Sequence, residues 1–267
     1  MISFPNAKIN IGLNVVSKRT DGYHNLETVF YPIELTDALE MIVSDRTEIT
    51  FSGLAIDGNP DENLVLKAYY LLKEDFDLLP VKFHLHKIIP FGAGLGGGSA
   101  DAAFTLKMLN ESFKLGLATT QLENYAAKLG ADCAFFIQNK PVFATGIGNK
   151  FQPINIDLSE YQIVIIKPDI SISTEGAYQN IIPKEPTFQL PWLLKKPLSS
   201  WKNNVINDFE KSVFIKFPQL AELKDLLYTL GAEYVSMSGS GSALFGFFRH
   251  LPADLDIKIP KGILIYR

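Results

Sequence analysis

The most constraining feature of this chain is a glycine-rich run that leads straight into a helix-like segment. Five of the nine residues from Pro90 to Gly98 are glycine. Side chains there would block close approach to the backbone and disfavour positive φ, which explains the choice of glycine. The first N–H groups of the following helix point at one place, and the helix dipole adds partial positive charge. The run therefore predicts a phosphate site, with a flexible surface turn as the alternative.

The run fits neither of the two common phosphate-binding patterns. A P-loop needs a lysine directly after its last glycine, and here Ser99 follows Gly98. The letters of a dinucleotide-binding fingerprint are present, but the acidic residue nearest the required spacing is Glu111, at the end of the helix itself. A strand is predicted before the run, at Val81–Lys87, and a helix after it, at Ser99–Asn110. The sequence therefore indicates a phosphate loop of another type.

The composition limits the class of protein, its partners and the cellular compartment in which it is expected. The chain has 267 residues, 47% of them hydrophobic, which is enough for one large or two modest globular domains. A net charge of −4 argues against a general nucleic-acid binder. The single cysteine, Cys133, cannot form an internal disulfide, and we see neither a signal peptide nor an apolar run long enough for a membrane span. We expect a cytoplasmic protein with no nucleic-acid or membrane partner.

The rest of the chain predicts a mixture of strands and helices without strict alternation. Residues Ala7 to Val16 alternate between apolar and polar, which is typical of a strand. A helix is predicted from Asn63, its N-cap, to about Phe76. A second is predicted to open with a capping box at Thr120 and Glu123 and to end at Gly130. The segment from 183 to 197 is predicted as a loop, and the chain from 203 to about 231 as helical with a break at Pro218. We predict an α+β fold with two domains, residues 1–157 and 158–267, each a two-layer arrangement of sheet and helices.

Two charged residues stand out as candidates for chemistry. Lys8 lies on the polar face of the first strand, and Asp132 precedes an apolar run in which an unpaired carboxylate would be costly. The alternative for Lys8 is a solvated strand face, and for Asp132 a helix cap or turn. Spacing alone does not pair them. His84 and His86 share a strand face, and two histidines alone favour a solvated polar face over a zinc site.

Several motifs together resemble the GHMP kinases, a superfamily of ATP-dependent small-molecule kinases. The glycine run resembles the second motif of that superfamily, and the segment 236–243 (SMSGSGSA) resembles its third. The segments 5–10 (PNAKIN) and 21–26 (DGYHNL), with 130–136 (GADCAFF) and 144–148 (ATGIG), are similar to the branch that phosphorylates a cytidyl diphosphate-linked methylerythritol. The resemblance extends from Pro5 to about Phe248.

The resemblance implies a role for each matching position. It implies that the site lies in a cleft between the two halves, with Lys8 and Asp132 as the catalytic pair. Asp132 would orient or deprotonate the attacking hydroxyl, and Lys8 would stabilise charge in the transfer. ATP with Mg²⁺ is the implied cofactor, and its phosphates would be held by Pro90, Phe91, Gly92, Ala93, Gly94, Leu95, Gly96, Gly97, Gly98, Ser99 and Ala100.

The resemblance also implies the substrate-binding residues. Tyr23 and His24 match the positions that hold a cytosine ring, and Tyr178 matches the second aromatic, although relatives can carry Phe there. We expect the base to be sandwiched between Tyr23 and Tyr178. Asn10 and Thr174 would contact the methylerythritol or diphosphate part. The implied reaction is phosphorylation of the 2-hydroxyl of this substrate in the non-mevalonate isoprenoid precursor pathway, by a monomer or weak homodimer.

Two alternative functions remain open at this point. A homoserine or mevalonate kinase of the same superfamily shares the glycine run and the third motif but gives no reason for the Asp-Gly-Tyr-His segment. A non-catalytic nucleotide-binding regulator is expected to lack the lysine or the aspartate, and both are present here.

Overall fold

The computed structural model describes residues 1–56, 59–179 and 181–267, which form two compact units. Each unit is assembled from three separate stretches of chain. The first contains Met1–Lys8, Pro32–Phe91 and Gly96–Lys140, and the second contains Ile9–Tyr31, Gly92–Leu95 and Pro141–Arg267. The fold is α+β, as predicted. The domain boundary after residue 157 stays a prediction.

The strands and helices are numbered in chain order. The strands are β1 (Ile2–Ser3), β2 (Asn6–Lys18), β3 (His24–Thr36), β4 (Ala38–Val43), β5 (Glu48–Gly53), β6 (Val81–Lys87), β7 (Val142–Thr145), β8 (Lys150–Pro153), β9 (Gln162–Lys167), β10 (Tyr234–Met237), β11 (Leu244–Phe248) and β12 (Leu264–Tyr266). The α-helices are α1 (Leu64–Lys73), α2 (Gly97–Ser112), α3 (Thr119–Leu129), α4 (Phe135–Gln138), α5 (Thr174–Tyr178), α6 (Leu190–Leu193), α7 (Phe209–Lys216), α8 (Pro218–Thr229) and α9 (Leu255–Lys258). Short 3₁₀ segments cover Pro60–Glu62 and Leu198–Asn203.

The first unit contains a four-stranded sheet in the order β1-β4-β6-β5, with β4 antiparallel and β5 parallel to β6. Alternate residues of β6, among them Phe83 and Leu85, are fully buried. On the opposite face, His84 binds the hydroxyls of Thr50 and Ser52, and His86 binds that of Ser52. This hydroxyl network agrees with the predicted polar face.

Helix termini in the first unit follow local capping chemistry, with one correction. The Oδ1 atom of Asn63 accepts the N–H of Val65 at 2.9 Å, so Asn63 is the N-cap of α1 as predicted. The predicted capping box at Thr120 and Glu123 is wrong. Helix α3 begins two residues earlier, with Ala118 as its N-cap and Thr119 as its first residue, because Gln121 Oε1 accepts the N–H of Ala118 at 2.9 Å.

The second unit contains most of a sheet in the order β2-β3-β7-β8 and all of a sheet in the order β10-β11-β9-β12. A hydrophobic cluster in this unit joins β2, β9 and β11 to α7 and α8 through residues such as Leu13, Val164, Phe209, Leu227 and Leu244. Strand β2 also binds a distant segment, because the N–H of Leu13 donates to the carbonyl of Ile206 and the carbonyl of Leu13 accepts the N–H of Asp208, both at 2.8 Å.

The structure decides one open alternative and corrects one prediction. The alternative of a solvated strand face for Lys8 is wrong, because Lys8 and its neighbour on that face, Asn10, are only 3% and 2% exposed. The predicted loop from 183 to 197 contains the short helix α6, which begins after Gln189 with Pro191 in its first turn. The predicted break at Pro218 is confirmed, since α7 ends at Lys216 and α8 begins at Pro218.

Candidate active site

The glycine run forms a loop whose conformation and packing both require glycine. Gly92, Gly94 and Gly96 have φ values of +59°, +76° and +72°, in the left-handed region. A Cβ added to Gly94 would lie 1.9 Å from the carbonyl oxygen of Ser238, so the two backbones touch at this point. A Cβ added to Gly98 would meet nothing closer than 3.7 Å. The loop is therefore fixed at Gly94 and open at Gly98.

Helix α2 begins directly after this loop, two residues earlier than predicted. Gly96 is its N-cap residue, and within the described chain no side chain caps the helix from that position. The first turn of a helix has N–H groups without partners inside the helix, and the 16-residue length of α2 supports a full helix dipole. The backbone here can therefore bind an anion such as a phosphate group.

Ser238 holds the glycine loop in place through hydrogen bonds, and it was not among the predicted site residues. Its hydroxyl donates to the carbonyl of Gly94 at 2.8 Å and accepts the N–H of Asn10 at 3.2 Å. Ser238 is fully buried, and these two bonds tie the glycine loop to β2 within the second unit. The serine- and glycine-rich segment 236–243 indicated a functional loop, but the sequence did not show which of its hydroxyls bonds to the glycine loop.

Lys8 and Asp132 lie together in the first unit. Lys8 Nζ is 3.4 Å from Asp132 Oδ2, and the two side chains are 3% and 34% exposed. Burial lowers the pKa of Lys8, while the charge of Asp132 and their hydrogen bond oppose that shift. The aliphatic part of Lys8 passes under the loop, because a Cβ on Gly96 would lie 3.1 Å from Lys8 Cε. A buried cation thus holds a carboxylate that solvent and ligands can still reach.

The residues beside Asp132 connect the pair to the start of α2. Cys133 is fully buried and shares a hydrogen bond with the hydroxyl of Ser99. Burial raises the pKa of the Cys133 thiol to about 11, so it is an inert packing residue, as expected for a small hydrophobic side chain. Its contact with Ser99 joins the segment that carries Asp132 to the first turn of α2.

Three aromatic side chains form a group in the second unit. The rings of His24 and Tyr178 are stacked, with centroids 4.8 Å apart and an interplanar angle of 17°. Phe209 packs edge-on against Tyr178 at 4.8 Å, and it was not predicted because it lies on a different helix, α7. Tyr23 is 61% exposed. The structure therefore brings His24 and Tyr178 together and leaves the side chain of Tyr23 in solvent.

The two remaining predicted substrate residues have different environments. Asn10 is buried, and its Nδ2 group donates to the hydroxyl of Thr28 at 2.9 Å. Thr174 is the exposed first residue of α5, directly after the N-cap Ser173. Thr174 is thus open to a ligand, and Asn10 is part of the hydrogen-bonded support of β2.

A small cavity of about 290 Å³ lies beside the glycine loop in the first unit. Its lining includes the aromatic rings of Phe51 and Phe91, the aliphatic Leu64, and the polar residues Asn63 and Asp101. Asp101 is 2% exposed, and its Oδ1 atom has no hydrogen-bond partner among the described residues. Burial raises the pKa of Asp101 to about 7, with Lys87 opposing and Asp37 adding to the shift. A cavity with aromatic and polar lining, one of whose lining residues has an unpartnered carboxylate oxygen, suits a planar base that carries an N–H donor.

Comparison with known proteins places this geometry in a family. The model for the GHMP kinases N terminal domain matches residues 63–140, and the model for the GHMP kinases C terminal domain matches residues 193–257. The 4-diphosphocytidyl-2-C-methyl-D-erythritol kinase of Bacteroides fragilis is 58% identical over 93% of this chain and 92% of its own, and that of Parabacteroides distasonis is 53% identical over 93% and 92%. A crystal structure of 4-(cytidine 5'-diphospho)-2C-methyl-D-erythritol kinase is 33% identical, with a TM-score of 0.80, and covers 92% of this chain and 89% of its own.

The described helices include none long and apolar enough to cross a bilayer. With this degree of identity extending over nearly the whole chain, the protein belongs to the 4-diphosphocytidyl-2-C-methyl-D-erythritol kinase family of the GHMP kinases.

Proposed function

We propose that this enzyme transfers the γ-phosphoryl group of ATP to the 2-hydroxyl of 4-diphosphocytidyl-2-C-methyl-D-erythritol, giving the 2-phosphate and ADP. The observation that carries the proposal is the Lys8–Asp132 pair, a carboxylate 34% exposed beside an ammonium 3% exposed. Relatives up to 58% identical bear the name of this kinase, which supports the substrate. They also favour it over homoserine or mevalonate, and the presence of both charged residues argues against a non-catalytic regulator.

In this proposal the loop and the start of α2 hold the ATP phosphates. The segment from Pro90 to Ala100 contributes backbone N–H groups, and the open position at Gly98 lets a phosphate approach the main chain. The cavity beside Phe91 receives the base. Its acceptor, Asp101 Oδ1, faces a donor on the ring, and this contact supplies the partner that the atom lacks.

Mg²⁺ accompanies the nucleotide in this proposal. Among the described residues, no group of three or more His, Cys, Asp or Glu side chains is arranged to hold a metal ion. The residues therefore fit an ion that is bound mainly by the ATP phosphates and water, as Mg²⁺ commonly is. When bound, it neutralises phosphate charge. The chain itself contributes the loop amides and the ammonium of Lys8.

Asp132 and Lys8 act on the acceptor hydroxyl. Asp132 accepts a hydrogen bond from the hydroxyl and aims its oxygen at the γ-phosphorus, because phosphoryl transfer depends chiefly on position and electrostatics. Lys8 holds Asp132 in place and stabilises the charge that develops in the transfer. Desolvation strengthens that effect, since Lys8 is buried while Asp132 faces the ligand.

The aromatic group binds the cytosine ring. In the proposed complex His24 turns from its stacked position on Tyr178 to donate to or accept from the edge of the base, and the face of Tyr178 that it leaves, supported edge-on by Phe209, stacks on the ring. Tyr23, which is 61% exposed, is free to fold onto the other face of the base and complete the expected sandwich with Tyr178. Thr174 and Asn10 lie toward the diphosphate or methylerythritol part. We propose a cytoplasmic enzyme, in keeping with its single reduced cysteine, that acts as a monomer or weak homodimer without a nucleic-acid partner.

The decisive experiment measures ADP release with ATP, Mg²⁺ and each of three acceptors: the cytidyl substrate, mevalonate and homoserine. We expect turnover on the cytidyl substrate alone, and a loss of about 10²–10⁴-fold in kcat for Asp132→Asn. Asp77→Asn, an exposed aspartate in the same unit, is the matched control and retains wild-type turnover. Turnover only on a simple alcohol, or an Asp132→Asn enzyme as active as wild type, contradicts the proposal. The pH dependence of kcat in Asp132→Asn then separates proton abstraction from orientation.

A further inference from the structure

A second buried ion cluster lies outside the catalytic pair. It consists of Asp37, Lys87 and Asp101, which are 0%, 1% and 2% exposed. Lys87 Nζ donates to Asp37 Oδ2 and, at 2.8 Å, to Asp101 Oδ2. Burying three charges is costly, and apolar side chains of similar volume often serve stability equally well. We therefore expect the cluster to have a role other than stabilising the fold.

The three residues lie at both ends of the glycine loop. Lys87 is the last residue of β6, just before the loop, and Asp101 is the fifth residue of α2, just after it. Their hydrogen bond therefore closes the stretch of chain that contains the loop. Asp37, between β3 and β4, accepts the N–H groups of Ile88 and Ile89 through Oδ1, at 2.6 and 2.8 Å. One carboxylate thus holds both the lysine and the backbone that enters the loop.

The ammonium of Lys87 lies directly beneath the first turn of α2. A Cβ added to Gly97, the first residue of the helix, would lie 2.9 Å from Lys87 Nζ and 2.8 Å from Ile89 Cγ2. Both neighbours belong to the segment that Asp37 fixes. The height of the helix terminus above this segment therefore depends on where Asp37 holds Lys87 and the two amides.

We propose that Asp37 is a positioning residue for the nucleotide phosphates. It acts through Lys87 and the amides of Ile88 and Ile89, and it sets the spacing between the two ends of the glycine loop. The proposal rests on the proposed function, in which this loop binds ATP. It adds a residue that lies about 50 positions from the loop in sequence and does not itself touch the nucleotide.

The test is the substitution Asp37→Asn, which keeps the shape of the side chain. Its amide can still accept from a backbone N–H, but its NH₂ group faces the ammonium of Lys87, so the bond by which Asp37 holds Lys87 beneath α2 is lost. We expect the Kd for a non-hydrolysable ATP analogue, measured by calorimetry, and the KM for ATP to rise about tenfold or more. We expect the KM for the cytidyl acceptor to stay within about twofold. Amide hydrogen exchange in residues 92–99 becomes faster.

A matched control separates positioning from general destabilisation. Asp208 also accepts a backbone N–H, that of Val15 at 2.8 Å, and pairs with a lysine, Lys211, and in the described part of the chain its side chain forms no hydrogen bond or ion pair with the glycine loop. Asp208→Asn lowers the melting temperature and leaves nucleotide affinity unchanged. If Asp37→Asn does not fold, Lys87→Arg serves instead, because it keeps the charge while its larger head group cannot fit beneath Gly97. The same rise in the Kd for the analogue is expected.

The outcomes distinguish the two proposals. A folded Asp37→Asn protein with wild-type nucleotide affinity and wild-type exchange overturns the positioning role, and so do equal increases in both KM values. Wild-type protein that binds the analogue but does not phosphorylate the cytidyl acceptor overturns the proposed function alone. Wild-type protein that binds no nucleotide overturns both proposals, because the loop then holds no phosphate for Asp37 to position.

Discussion

Replacement of Gly94 by alanine tests the close contact that fixes the glycine loop. The φ of +76° costs an alanine about 1–2 kcal/mol. Its Cβ would also lie 1.9 Å from the backbone oxygen of Ser238, so the backbone must move. Overpacking of this kind costs about 1–3 kcal/mol, and loss of the Ser238–Gly94 hydrogen bond adds about 1 kcal/mol. We expect Gly94→Ala to lower the free energy of unfolding by about 3–6 kcal/mol and to raise the KM for ATP.

Gly262 provides the matched control for this prediction. It belongs to the same unit, has a φ of +89°, and a Cβ there would meet nothing within 4 Å. Gly262→Ala therefore measures the conformational cost alone, about 1–2 kcal/mol. Urea denaturation followed through the fluorescence of the buried Trp201, which lies in that unit, reports both variants. Equal losses in the two variants refute the argument, because they leave nothing for the contact with Ser238 to explain.

Two further predictions concern buried groups. Because burial raises the pKa of Asp101 to about 7, the folded protein binds this proton more tightly than the unfolded chain does between pH 4 and 7, and stability falls as pH rises through that range. Asp101→Asn removes this slope, so the free energy of unfolding of the wild type relative to the variant falls by about 2 kcal/mol from pH 5 to pH 7, measured by thermal unfolding, and parallel profiles contradict the assignment. Cys133, fully buried with its pKa raised to about 11, resists a thiol reagent at pH 8 in the native state and reacts once the chain is unfolded in urea. Rapid reaction of the native protein contradicts this second prediction.

Features that are determined by a few adjacent residues were predictable from the sequence. The N-cap at Asn63, the break at Pro218 and the strand–loop–helix around the glycine run each depend on a few adjacent positions, and the structure confirms them. The start of α3 was missed because a Gln can complete a cap at an Ala, a residue that offers no side-chain signal of its own. Helix N-termini were therefore predictable where the N-cap residue has one of the usual capping side chains.

Features that depend on what covers an element were not predictable. Alternation along β2 shows which residues share a face, but it does not show that the polar face, with Lys8 and Asn10, is buried as well. Phe209 reaches Tyr178 across 31 positions, and Asp37 reaches Lys87 across 50. Nothing in the sequence around Asp37 distinguishes it from an ordinary turn aspartate. The pairing of Lys8 with Asp132 was expected from the resemblance and not from spacing.

The hydrogen bonds between Leu13 and residues 206–208 have a consequence for synthesis of the protein. These partners are translated about 190 positions after β2, which at ribosomal rates of about 5–20 residues per second is a delay of about 10–40 s. Throughout that interval the nascent β2, with its four alternating aliphatic residues, has an unpaired edge available to other chains. Lys8 and the asparagines between those residues interrupt the apolar run, and so limit aggregation of the strand before its native partners exist.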